Sequence, residues 1–213
     1  MIWNYSAWLL PFVVLKRIYS WSKRNFIMQT KTFLFSKIWR MSCGRGVIFS
    51  GSTIIRSYDK NAIQIKDDVV FNSNPTDNLV GLSGATIICA GKGAKIEIGE
   101  HSGFSSVVIN ARERIAIGNH VKVGGNVRIF DHDFHPLSWA DRRAPEKGDK
   151  TKVKPVVIDD DVFIGTNVII LKGTHIGARS IIAAGSVVMG LDVPPDSMVR
   201  GNPAVCESRK SKE

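Results

Sequence analysis

From Ile158 onward an apolar residue recurs at every sixth position: Ile158, Ile164, Ile170, Ile176, Ile182 and Val188. Gly165, Gly177 and Ala183 follow three of these anchors, and Val162, Val168, Thr174, Ser180 and Ser186, all small or β-branched, stand four residues after an anchor. The same spacing joins Ile117, Val123 and Ile129, with Gly118 and Gly124 behind the first two. Weaker traces run from Ile98 to Phe104 and from Ile65 to Phe71, and the phase slips between these blocks. A period of six matches neither the 3.6 of a helix nor the 2 of a half-buried strand. It predicts a chain that turns a corner every six residues, so that three corners close a triangular coil of about 18 residues. The anchor points inward, and a small neighbour lets the backbone turn tightly. Stacked coils then set each anchor on the one below. The expected fold class is all-β, a parallel β-helix of hexapeptide repeats. A β-sandwich would instead show alternation and turn signals at about 8 to 12 residues.

The pattern fails at both ends of this region and once inside it. Between Ile129 and Ile158 no anchor is found, and DHDFHPLSWADRRAPEKGDKTKVKP is charged and carries Pro136, Pro145 and Pro155. Such a stretch cannot line a coil, so residues 131–157 are expected to leave the wall as an extruded loop. Long loops in compact domains are usually functional or disordered, and this one opens with a cluster of His132, His135, Asp131 and Asp133. Before the repeats, Leu15, Ile18 and Trp21 keep a three-residue spacing, and Lys16, Arg17, Lys23 and Arg24 fall off that line. This predicts short helical pieces with one apolar face. The expected organisation is an N-terminal arm over 1–58, a β-helix over 59–206 and a polar tail over 207–213.

Charge separates the arm from the rest. Nine basic residues and no acidic one precede Asp59, and together they account for nearly all of the formal net charge of +10. The arm also holds Trp3, Trp8, Trp21, Phe26, Phe33, Phe35 and Trp39. Basic, aromatic and aliphatic residues together describe an interfacial membrane segment better than a nucleic-acid surface. The longest apolar run, Trp8 to Leu15, contains Pro11 and is far short of the roughly 20 residues a spanning helix needs. Two readings stand: the apolar face lies on a membrane surface, or it packs on the body of the same protein and caps the open end of the β-helix. No nucleic acid is expected as partner. Cys43, Cys89 and Cys206 form no CxxC pair, so no disulfide framework or zinc knuckle is expected, and a reducing cytoplasm is the default.

Taken in order, IFDHDFHP, the loop, KPVVIDDDVFIGTNVIILKGTHIGARSIIAAGSVV, DVPP and GNPA resemble the hexapeptide-repeat acyltransferases. The likeness is to the maltose/galactoside O-acetyltransferase branch and its relatives that acetylate bacterial surface polysaccharides, and it covers roughly residues 60–206. It implies the left-handed form of the β-helix, an accepted exception to the right-handed crossover rule. It also implies acetyl-CoA as co-substrate, a sugar or polysaccharide acceptor, and a cytoplasmic enzyme, in keeping with the membrane reading of the arm. A homotrimer is expected because one wall and one loop leave a site open on one side. In this family the histidine before a proline at the start of the loop is the general base, which falls on His135, before Pro136. A sugar hydroxyl must lose its proton as it attacks a thioester, and an imidazole titrating near neutrality suits that transfer. Asp131 or Asp133 could hold the ring, and His132 is the competing base.

By the same resemblance Thr166 contacts the thioester region, Phe163 stands where tryptophan is usual, and Ala184 and Gly185 face the pantetheine arm. Two departures concern the coenzyme phosphates. Met189-Gly190-Leu191 replaces a Thr-Lys element before DVPP, and Val205 follows GNPA where a basic residue is common. Arg200, Lys172, Arg179, Arg209 and Lys210 are the substitutes considered. Ser105, Ser106 and Asn110 lie where relatives place sugar-binding groups, and Trp139 could stack on a sugar or cover the thioester. Competing readings are a serine or amino-sugar acetyltransferase, a non-catalytic β-helix binding module, and a γ-type carbonic anhydrase. The last needs three converging histidines, which the spacing of His101, His120, His132, His135 and His175 does not reproduce, so no metal is expected.

Overall fold

The computed structural model describes residues 10–22, 26–144, 146, 148 and 150–208. The repeats wind into a left-handed parallel β-helix whose three flat faces hold seven, eight and six strands. Successive anchors visit successive faces. On the first face Ile65, Ile98, Ile117, Ile158, Ile176 and Val193 pair in register from coil to coil. On the second, Phe49, Phe71, Phe104, Val123, Ile164, Ile182 and Val199 do the same. The third carries Ile55, Ile88, Ile109, Ile129, Ile170 and Val188. These columns are the core, and nearly every member is fully buried. Parallel neighbours lie close to 4.8 Å apart, so like side chains stack: the rings of Phe49 and Phe71 are 4.7 Å apart, those of Phe71 and Phe104 4.8 Å.

The corners explain the small residues. Between the first and second faces Asp68, His101, His120, Asp161, Arg179 and Asp196 all adopt a left-handed backbone, φ 56° to 61°, a conformation that Asn, Asp and His tolerate best among non-glycine residues. Gly165 occupies the next corner because a Cβ there would lie 2.6 Å from the backbone nitrogen of Ala184 in the following coil.

The coils begin at Ser42 and not near residue 59, since Ser42–Cys43, Ile48–Gly51 and Thr53–Ser57 already form one strand on each face. That first coil is hard to see in sequence because a turn at 58–61 and a longer insertion at 74–85 break its phase. At the other end Ala204–Ser208 folds back antiparallel on Ser197–Gly201, so the ordered β-structure runs two residues into the expected tail. The arm forms two helices, α1 (Leu10–Ser22) and α2 (Met28–Ile38). Helix α2 covers the first coil. Thr32 is buried and its Oγ1 donates to the carbonyl of Val47 at 3.0 Å. Phe35 sets its ring edge-on to Phe49 at 5.6 Å, and Lys31 Nζ donates to the carbonyl of Gly51 at 2.5 Å. The capping reading of the arm therefore holds for α2.

Candidate active site

The insertion at 131–155 leaves the helix at the corner between the third and first faces, after the strand Arg128–Phe130. It ends two residues earlier than expected, because Val156 is already a buried first-face anchor. Its root is tied by the backbone: Lys154 N–H donates to Asp131 O at 2.8 Å, Asp133 N–H to Lys152 O at 3.0 Å, and His132 bridges Val153. Asp131 is fully buried. Its carboxylate accepts the N–H groups of Arg112, Glu113 and Arg114, the closest contacts being 2.8, 2.7 and 2.8 Å. Arg112 and Glu113 turn the corner of the preceding coil, and Arg114 opens its first-face strand. His132 Nδ1–H donates to Asp131 Oδ1 at 2.8 Å.

Two attributes of a general base are thus divided between the two histidines. His132 has an oriented imidazole, but only 2% of its side chain is exposed, which keeps an acceptor hydroxyl away from it. His135 is exposed and is presented by its neighbours. Phe134 packs edge-on to Phe130 at 5.0 Å and against His132 at 4.7 Å. Arg142 Nη1 donates to the carbonyls of Pro136 and Leu137 at 2.9 and 2.7 Å. The expectation that Asp131 or Asp133 holds the His135 ring is corrected. Asp131 serves His132 and the corner amides, and Asp133 Oδ1 pairs with Lys172 Nζ at 2.5 Å. Asp133 Oδ2 is buried with no hydrogen-bond partner among the described residues.

Trp139 opens α3 (Trp139–Arg143), where the Ser138 side chain accepts from Asp141 N–H. The indole is exposed, with the Arg143 guanidinium 5.2 Å from its centroid.

The residues expected to hold the donor gather at a different corner, between the second and third faces. Phe163 is half exposed on the second face, in register with Lys122 and Ile181. The Thr166 carbonyl accepts from Gly185 N–H at 2.9 Å. Ala184 and Gly185 are exposed, and with Gly165 and Thr166 they make a smooth strip. Gly124 extends it by one coil, since a Cβ there would meet the Thr166 nitrogen at 2.7 Å. The loop of His135 and this strip therefore flank opposite edges of the third face.

Ser105 and Ser106 stand on the strip's corner, but both hydroxyls are engaged. Ser105 Oγ accepts from Asn78 Nδ2 at 2.9 Å, and Ser106 Oγ donates to the carbonyl of Gly84 at 2.7 Å. They hold the second insertion, residues 74–85, which Asn126 also clasps by accepting from Ser83 N–H and donating to the Gly81 carbonyl. Sequence reasoning missed this insertion, although the turn-rich run NSNPTDN carried the signal. Asn110 lies half-buried on the third face.

The substitutes for the missing basic residues are already paired. Arg200 bonds Glu207 at 2.7 Å, Arg179 bonds Asp196 at 2.7 and 2.8 Å, and Lys172 bonds Asp133. Arg209 and Lys210 lie outside the described residues. The histidines do not converge in threes. His101 and His120 stack at 4.9 Å beside Glu100 on the corner between the first and second faces, whereas His175 bonds Asp159 and Asp192.

Residues 155–190 match the bacterial transferase hexapeptide family, six repeats. The galactoside O-acetyltransferase of Lactococcus lactis is 33% identical over 119 residues, 56% of this chain and 54% of that protein. A tetrahydropyridine-dicarboxylate N-acetyltransferase of Clostridium perfringens is 54% identical over 50 residues, 24% of this chain and 21% of that protein. The chain thus spans about half, or less, of the length of the curated relatives it matches. Among solved structures, a hexapeptide-repeat acetyltransferase of Vibrio cholerae complexed with acetyl coenzyme A aligns at TM-score 0.58 and 25% identity, over 99% of this chain and 94% of that one. AntD, an N-acyltransferase of Bacillus cereus solved with dTDP-4-amino-4,6-dideoxyglucose and coenzyme A, has the same fold at TM-score 0.65 and 20% identity, over 85% and 89% of the two chains. Repeat and fold are those of the hexapeptide-repeat acyltransferases. Within that class the galactoside O-acetyltransferases are among the relatives it is similar to.

Proposed function

We infer that the protein is an acetyl-CoA-dependent O-acetyltransferase acting on a sugar hydroxyl, in the synthesis of a bacterial surface polysaccharide, with His135 as general base. The observation that carries this reading is the exposure of His135 on a loop clamped at its root, while Asp131 and His132 are spent on the clamp. The His135 imidazole takes the hydroxyl proton as the oxygen attacks the thioester carbonyl. Coenzyme A leaves as the thiol, and the proton passes to its sulfur, so the acetyl group moves to oxygen with nothing oxidised or reduced. The strip of Gly165, Thr166, Ala184 and Gly185 takes the pantetheine arm, because only small side chains let an extended ligand lie against the coil. Phe163 and Trp139 line the thioester end, and Asn110 with the 74–85 insertion faces the acceptor.

The loop and the strip sit on different corners of one prism. A three-fold assembly brings one copy's loop to its neighbour's strip, so the homotrimer is part of this reading. Glycans built on lipid carriers would place the acceptor at the inner face of a membrane.

A second reading, transfer to an amino sugar, is favoured by the likeness in fold to AntD, whose solved complex holds an amino sugar nucleotide. An acceptor screen with acetyl-CoA and thiol detection tests both. Transfer to a galactoside or another neutral sugar supports the first, and transfer only to amino sugars supports the second. Absence of acetyl-CoA binding by calorimetry would sink both.

A further inference from the structure

Helix α2 uses one face as a cap and leaves the other bare. Thr32, Phe35 and Trp39 turn to the first coil, whereas Phe33, Leu34 and Ile38 are 59%, 50% and 64% exposed. Helix α1 is barer still, with Phe12, Leu15 and Ile18 at 70%, 62% and 56%. A helix apolar around most of its circumference is normally buried, and single exposed apolar residues are common but clusters of this kind mark interaction sites. The charge around these side chains says what could cover them. Lys16 and Lys37 are exposed and Arg17, Lys23, Arg24 and Arg40 accompany them in sequence, with no acidic residue before Asp59.

We propose that the exposed apolar faces of α1 and α2 seat the protein on an anionic lipid surface, while the inner face of α2 serves only as the cap. The two readings of the arm thus belong to different faces. Like-charged arms of a second copy would repel one another, whereas anionic headgroups attract them. Helix α1 has 13 residues and is about 20 Å long, shorter than the roughly 30 Å hydrocarbon core. No helix among the described residues is long and apolar enough to cross a membrane. Helix α1 therefore lies in the headgroup region, with Phe12, Leu15 and Ile18 inserted and the lysines at phosphate level. This surface is distinct from the proposed catalytic site, so vesicle binding succeeds or fails independently of acetyl transfer.

The test is co-sedimentation of the full chain with phosphatidylcholine vesicles with and without phosphatidylglycerol. Binding is expected only to the anionic vesicles and should weaken as salt rises. Phe12→Ala/Leu15→Ala/Ile18→Ala keeps helix propensity and removes the insertion, so it should bind about tenfold more weakly or worse. Lys16→Gln and Lys37→Gln should each cost about fivefold. Far-UV circular dichroism should show the β-helix unchanged in all three variants. Full-length protein that stays in the supernatant at low salt overturns the proposal. So does a triple variant that binds as the parent does. Light scattering in which the parent self-associates through these helices and ignores vesicles would assign the faces to a second copy, and would also overturn it.

Discussion

Asp131 shows how a residue expected to act in chemistry can be consumed by architecture. Its carboxylate takes three corner amides and one imidazole N–H. Asp131→Ala should lower unfolding free energy by about 3 kcal/mol, because one buried and three part-buried donors lose their charged acceptor together. Urea denaturation followed by circular dichroism measures this, and a loss below about 0.5 kcal/mol would show that water fills the corner. His135 has the opposite profile. It touches little, so His135→Ala should leave the denaturation midpoint within about 0.5 kcal/mol of the parent. Its turnover should fall about 100-fold or more, the range for losing a general base.

The corners are legible where the period is strict. From Ile117 to Ile129 and from Ile158 to Val188 every anchor is found inside, in register with the coil below. The loop was legible too, since charge and proline cannot line a coil. The coil from Ser42 and the 74–85 insertion were not, because an insertion at a corner shifts the phase without changing which residue types follow it. Nor could spacing reveal that Asp131 reaches back to amides 17 to 19 residues earlier, or that Ser105 and Ser106 hold a loop. Two tests belong to these elements. Gly165→Ala should destabilise the β-helix by roughly 2 kcal/mol, since its Cβ would press on the Ala184 backbone. His175 joins two coils through Asp159 and Asp192. Partial burial lowers its pKa, but the bonds to the two carboxylates outweigh this, and the net shift is upward from 6.5. The protonated form is thus favoured in the folded state. That contribution is complete below about pH 6.5 and is lost as pH rises through the raised value. With the ring half exposed it amounts to less than about 1 kcal/mol. His175→Gln should abolish this alkaline loss in thermal melts, and an unchanged pH profile would discount the pair.

One chain carries both halves of the proposed site on separate corners, and that separation is what the proposed trimer would resolve. The fold class and its three faces were readable from the repeat, because a stacked coil repeats its chemistry at fixed intervals, whereas the acyltransferase likeness rested on the ordered motifs IFDHDFHP, DVPP and GNPA around it. The arrangement of copies was not, since nothing in a single coil says which edge faces a neighbour. Complementation tests it. His135→Ala and Ala184→Trp are each expected to be inactive, one lacking the base and the other blocking the strip. If each site joins one copy's loop to its neighbour's strip, random co-assembly should restore about a quarter of parental activity. No recovery from a mixture that light scattering shows to be trimeric would place loop and strip of one chain in the same site.

The most direct measurement compares thiol release from acetyl-CoA by the parent, His135→Ala and His132→Ala, using the best acceptor from the screen, with acetyl-CoA affinity measured in parallel by calorimetry. The predicted result is that His135→Ala binds acetyl-CoA as the parent does but turns over about 100-fold more slowly. His132→Ala, having loosened the clamped root of the loop, should retain more activity than His135→Ala and unfold at lower urea. The contradicting result is a His135→Ala protein that turns over like the parent while His132→Ala is folded, binds acetyl-CoA and is inactive.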